Sequence, residues 1–397
     1  MKKIIAFTWV WVSVIAFLTG TTFATPQPRV VVPFQMQHQH MFFQLTINDS
    51  RPLHFIFDTG AAMMVLNPET AKELGLSKAG VVKAQGVGGT VTAPRYKSLR
   101  LTLGKIKFKT QAIGFPVKHL ERKIGRTIDG IIGADFLYRY VIEMNHDQKE
   151  LRFFDFDDFR YQGKGEKIRI KMKNRLATCR LSVTTPDGKS FSGRFLIDSG
   201  AGDCLDFTNH FTRKHKLTER FSKTYRMHTS GATTTKTYFQ MAKLSGLQLG
   251  KYAFGGVPIS MTNTQGGVLG RFKNGGILGN RILKRFNITL NYQKRVSYWE
   301  PNQAYRASIQ NDCTGIIVYY TPDLKQLLIR QIVKGSAADK AGLQEEDLLL
   351  TVNGKEVKAK DKSWLLKLMA KPGQVINFKI KRKGEVKQFR LTAQSLI

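Results

Sequence analysis

The stretch FIFDTGAAMMVL, Phe55–Leu66, sets one acidic residue, Asp58, between two apolar runs, with a Thr-Gly-Ala turn directly after it. A carboxylate in such surroundings is costly unless it is hydrogen-bonded, charge-paired or protonated. Alone, Asp-Thr-Gly says little, because an Asp in a turn commonly bonds its own backbone. Its meaning comes from a second copy.

GRFLIDSGAGDCL (193–205) repeats HFIFDTGAAMMVL (54–66), with Asp198 in the place of Asp58. The flanks repeat as well. Polar segments precede each copy, NDSRP (48–52) and TPDGKS (185–190), and short helical stretches follow, AKELGL (71–76) and TRKHKL (212–217). Glycine-bearing loops come next, QGVGGTVT (85–92) and HTSGATTTK (228–236), then strand-turn-strand segments at 98–108 and 243–254. Each half closes on an apolar-apolar-Gly motif, Ile131-Ile132-Gly133 and Ile277-Leu278-Gly279. The same elements in the same order point to a duplication. Period-two apolar patterns such as MFFQLTIND (41–49), broken at short intervals by turn residues, predict a mainly β body.

Two lobes packed about a pseudo-twofold axis would bring Asp58 and Asp198 together. Two carboxyls that close share a proton and titrate apart, so one can activate a water while the other hydrogen-bonds a carbonyl. Gly60 and Gly200 let backbone approach the carboxyls, and the hydroxyls of Thr59 and Ser199 are placed to bond across the interface.

Both lobes resemble retropepsin-type aspartic proteases, on the residues FIFDTGA, FLIDSGA and the two apolar-Gly motifs, across roughly residues 30 to 300. The resemblance implies β-barrel lobes giving one catalytic Asp each, Asp58 and Asp198, with no cofactor and no metal. It also implies substrate-covering flaps at Gly88 and Gly89 and at Ser230 and Gly231. The C-terminal part resembles a PDZ domain of the bacterial, export-associated kind, carried by VKGSAADKAGLQEEDLLLTVNGKEV (333–357). That implies capture of a peptide C-terminus by backbone N–H groups near Thr314, Gly315 and Ile316.

The expected organisation is a signal peptide over 1–24, lobes over 28–160 and 161–301, a linker over 302–312 and a small α+β PDZ domain over 313–397. Lys2 and Lys3 before the apolar run Ile4–Leu18, and Thr22-Phe23-Ala24 after it, read as a secretory signal. Export to the periplasm or beyond follows as the expectation. The formal net charge of +34 favours contact with an anionic envelope surface. The basic residues are scattered through strand-like segments and form no nucleic-acid module, so specific nucleic-acid binding is not expected. The three cysteines, Cys179, Cys204 and Cys313, fit no zinc spacing. A Cys179–Cys204 bridge is compatible with export, and buried free thiols are the other reading.

His38 and His40, two apart, would share a strand face, as metal ligands or as a solvated edge. Asp155, Asp157 and Asp158 lack the turn and glycine of a calcium loop. Asp135 and Asn280, after the apolar-Gly motifs, are expected to cap the helices that begin there. Tyr96, Tyr225 and Tyr238 are candidates for a cleft. The leading expectation is an aspartic endopeptidase acting on polypeptide. The alternatives are a non-catalytic peptide-binding scaffold, or lobes that do not face each other and need a dimer.

Overall fold

A computed structural model describes residues 26–86, 89–230 and 236–397. The expected signal segment, Gly88 and Gly231 lie outside the described residues. The chain is mainly β, in two barrel lobes followed by a small α+β unit.

In the first lobe the ring runs His40–Ile47, Leu53–Phe57, Gly130–Ile132, Met64–Leu66, Ile106–Gly114, Thr90–Leu103 and back to His40–Ile47. The closing contact pairs Ile47 with Leu101. In the second lobe the ring is Leu176–Thr184, Ser190–Ile197, Gly276–Leu278, Leu205–Phe207, Tyr252–Met261, Lys236–Leu249, and it closes where Val183 pairs with Leu247. Each barrel therefore closes on six strands in the same order, as a duplication requires. In both, the strand leading to the Asp runs parallel to the apolar-Gly strand: Phe57 pairs with Ile132, and Ile197 with Leu278.

A third sheet joins the lobes through Val141–Asn145 and Phe286–Asn291, with Ile142 opposite Leu290 and Met144 opposite Ile288. These four side chains are fully buried, and the two barrel interiors merge there into one apolar core. Area-driven burial of this kind favours a fixed arrangement of the lobes. The segment 302–312, expected as a polar linker, is pinned. Arg285 donates to the carbonyls of Ala304, Tyr305, Ala307 and Ser308.

The C-terminal unit has its own core beneath the sheet Ile316–Tyr320, Leu327–Ile332, Leu348–Val352, Val375–Arg382, Glu385–Thr392. Its strand Val375–Arg382 shows where the positive charge goes: Ile376, Phe378 and Ile380 face inward while Asn377, Lys379 and Lys381 are exposed. The basic residues are the outer face of ordinary amphipathic strands. All three cysteines are buried and free, so Cys179 and Cys204 do not pair.

Candidate active site

The two Asp turns meet between the lobes. Thr59 Oγ1 donates to the Ile197 carbonyl (2.6 Å) and accepts from the Ser199 N–H (3.0 Å). Reciprocally, Ser199 Oγ donates to the Phe57 carbonyl (2.9 Å) and accepts from the Thr59 N–H (3.0 Å). Both hydroxyls are completely buried, so each bond is made where an unmade one would be expensive. This clamp fixes the loops in a symmetric register. The Gly60 N–H donates to Asp58 Oδ1 (2.7 Å), and those of Gly200 and Ala201 to Asp198 Oδ1 (2.9 Å each). Behind the turns, Asp58 N–H reaches the Ile132 carbonyl (3.0 Å) and Asp198 N–H that of Leu278 (3.1 Å).

The carboxyls of Asp58 and Asp198 hydrogen-bond to each other. They keep part of their surface open to the cleft but are enclosed by protein, and burial is the largest cause raising both pKa values. The neighbouring charge and the shared hydrogen bond push Asp198 further, well above the ordinary carboxyl range. The same bond lowers Asp58, together with the N–H groups of Gly60 and Gly200. The two carboxyls therefore titrate as a pair, holding one proton between them above the ordinary carboxyl range.

Above the pair lies a cavity of about 730 Å³. Lobe one lines it with Met63, Val65 and Ile113, lobe two with Asp203, Asp206 and Ser260. The hairpins Val81–Gln85/Thr90–Leu103 and Tyr225–Ser230/Lys236–Leu249 stand at its mouth, where the flaps were expected. The Gly86 N–H donates to the Gly89 carbonyl (2.9 Å), and the Gly86 carbonyl accepts from Val268 N–H of lobe two (3.0 Å). The first hairpin thus crosses the cleft. The second reaches the C-terminal unit instead, His228 N–H donating to Gln331 Oε1 (3.3 Å). Ser230 pairs with Lys236 at its tip.

Residues 43–136 match the family model described as aspartyl protease, and residues 328–382 match that of a PDZ domain. The chain thus carries an aspartyl-protease-like lobe, a second barrel of the same strand order and a PDZ domain. Over 93 residues it is 29% identical to a probable CtpA-like serine protease of Staphylococcus haemolyticus, a stretch that is 23% of this chain and 19% of that protein. The match thus spans about a fifth of that relative's length.

The PDZ domain forms part of the cleft: Ile317, Tyr319, Arg330 and Gln331 line the cavity that holds Asp58 and Asp198. Its edge strand, Ile316–Tyr320, is covered by the lobe-one helix Lys118–Ile124. Arg122 Nε donates to the Tyr320 carbonyl (3.3 Å), and Lys362 Nζ to the Lys123 carbonyl (2.6 Å). The expected carboxylate loop differs from its expectation. Asp312 accepts from the N–H groups of Thr314 (3.1 Å) and Gly315 (2.5 Å), and Ile316 N–H donates to Thr314 Oγ1 (3.2 Å). A carboxylate of the chain itself already fills the place assigned to a peptide terminus.

Other expectations shift too. Asp135 accepts from Thr110 Oγ1 (2.9 Å) and Asn280 donates to the Gln39 carbonyl (2.5 Å); neither caps its helix. His38 sits within a tight turn and His40 begins the strand after it, so they do not share a strand face, and the described residues hold no metal-binding group of side chains. His38 Nε2 bonds the Tyr320 hydroxyl of the PDZ domain (2.7 Å). His40 lines the cleft beside Gly200, and burial pushes it down to about 4, so it stays neutral. The strand register puts Leu176 at its equivalent in lobe two, and that break in the repeat was the available signal. Tyr96, Tyr225 and Tyr238 do not line the cavity.

Proposed function

We propose that the protein is an exported aspartic endopeptidase that hydrolyses polypeptide between Asp58 and Asp198. The observation that carries this reading is the buried, hydrogen-bonded carboxyl pair, held by the Thr59–Ser199 clamp at the floor of a cavity. Asp58 takes a proton from water as the water oxygen bonds to the substrate carbonyl carbon. Asp198 gives its proton to the carbonyl oxygen. The tetrahedral diol then returns a hydroxyl proton to Asp198 and breaks its C–N bond, the departing amine taking the proton held by Asp58. Two neighbouring carboxyls with split affinities suffice for both transfers.

The test is digestion of an unfolded polypeptide by the purified protein. A peptide carrying a hydroxyl-bearing tetrahedral isostere at the scissile position should block it, and a fluorophosphonate should neither block digestion nor label the protein. Labelling with loss of activity would instead mean a serine nucleophile and overturn the reading.

The same dyad fixes the pH profile. Activity should rise as Asp58 ionises and fall as Asp198 loses its proton, giving a bell. Both pKa values are raised, so the ascending limb lies above the usual Asp range and the descending limb higher still. Initial rates across pH check this; a rate that climbs steadily through the alkaline range contradicts a protonated Asp198.

A further inference from the structure

The repeat makes the two walls of the cleft directly comparable. Strand registers place Val65 opposite Ile131 and Asp206 opposite Ile277, so Asp206 is the counterpart of Val65. The parallel neighbours match as well: Val65 beside Ile113, Asp206 beside Ser260. In lobe one, Val65 and Ile113 pack with Met63, Val82 and Ala84 into an apolar wall. Lobe two breaks the pattern at the same places, with Asp206 accepting a short hydrogen bond from Ser260 Oγ and with Asp203 beside it. A barrel that builds this wall from Val and Ile in one copy does not need carboxylates there to fold.

A cation of the chain already answers them. Lys123, in the last turn of the helix Lys118–Ile124, lines the same cavity and feels the charges of Asp203 and Asp206 through space, without an ion pair to either among the described residues. Two carboxylates face this one ammonium. Lys83, Arg122 and Arg330 line the cavity too, and none of them forms an ion pair with Asp203 or Asp206 among the described residues, Arg330 pairing with Glu346 instead. Asp203 and Asp206 are thus left without an ion pair among the described residues. Burial, with the charge of Asp203 second, raises Asp206 to about 7, so the site still attracts a proton near neutrality.

We propose that Asp203, Asp206 and Ser260 form a specificity subsite for a lysine or arginine side chain of the substrate, opposite an apolar subsite on lobe one. The pseudo-twofold axis passes between Asp58 and Asp198, so the two walls flank the scissile bond, and the substrate is apolar on one side and basic on the other. Lys123 is the internal competitor, whose long flexible stem lets it withdraw when a substrate cation enters. The proposal rests on the proposed peptidase reading for the placement of the peptide.

The experiment compares peptides identical except for Lys or norleucine at each residue flanking the bond. Binding is read by fluorescence anisotropy on full-length Asp198→Asn protein, and cleavage on the parent. The Lys peptide should bind about tenfold to a hundredfold more tightly in one of the two positions. Asp206→Val and the isosteric Asp206→Asn, added to the binding protein and checked by thermal melting, should each erase that preference, and Lys123→Met should strengthen it. Equal binding of both peptides, no binding of either, or a preference unchanged in both Asp206 variants overturns the subsite. Asp206-dependent binding without cleavage keeps the subsite and removes the peptidase reading. Cleavage with no basic preference does the reverse.

Discussion

Replacing Asp198 with Asn should reduce hydrolysis by about 10³-fold or more while leaving the fold at least as stable as the parent. Asn keeps the size and can still hydrogen-bond Asp58, but it has no acidic proton to give to the carbonyl oxygen. Asp58→Asn fails for the complementary reason, having no base to take the proton from water. The stability argument runs through linkage. An acid whose pKa is raised in the folded state stabilises fully below its unfolded pKa and loses that contribution as pH rises through the folded value. Asp198 is such a group, raised chiefly by burial. Asn escapes this loss, so the melting temperature of Asp198→Asn relative to the parent should be higher at pH 8 than at pH 4. Rates on unfolded polypeptide, with melting curves at both pH values, check it. A folded Asn variant that retains full activity would sink the shared-proton mechanism. A variant that is inactive only because it is unfolded would recast Asp198 as structural.

The dyad was legible because duplication writes the same local rule twice: apolar strand, Asp, hydroxyl residue, glycine. Each part is a short-range pattern, and the pairing of Phe57 with Ile132 and of Ile197 with Leu278 only closes what the motifs announce. Departures from the repeat were harder to read. His40 against Leu176, and Asp206 against Val65, become visible only once strand register aligns the lobes, because the connection before the Asp is longer in lobe two and an extra residue beside Asp203 shifts the spacing after it. The covering of the PDZ edge strand was not legible at all. It depends on Arg122 and Lys123 meeting Tyr320 and Lys362, contacts about two hundred positions apart that no local pattern encodes. The carboxylate loop misled for a related reason. Thr314-Gly315-Ile316 has the right shape, but Asp312, two residues earlier, takes up its N–H groups first.

That PDZ placement bears on substrate choice. Gln331 holds the lobe-two hairpin at His228, and Tyr319 shares the cavity wall with Lys123. A substrate that engages Asp58 and Asp198 therefore meets PDZ side chains in the same cavity. The protease-like lobes and the PDZ domain contribute to one cleft, so on the proposed reading both would select the substrate.

Gly200→Ala should cost about 10²-fold in kcat, though it deletes no functional group. A Cβ at position 200 would lie 2.3 Å from Asp58 Cγ and 2.4 to 2.5 Å from its oxygens; at Gly60 the mirror contact with Asp198 Cγ is 2.5 Å. No pair of carbons tolerates that approach. Neither partner is free to yield, because Asp58 is held by the Gly60 N–H and both turns by the Thr59–Ser199 clamp. The methyl group must push the carboxyls apart, and a shift of about 1 Å is enough to spoil the shared proton and the position of the attacking water. The cavity walls at Val65 and Asp206 lie outside the contact, so peptide binding should be kept and the loss should fall on kcat. Gly255→Ala is the control: its added Cβ meets nothing closer than 3.7 Å. Steady-state kinetics on the parent and both variants separate the effects. If Gly200→Ala folds and turns over within about twofold of Gly255→Ala, the close packing of glycine on carboxyl is not what holds the dyad together, and the mechanism loses its geometric basis.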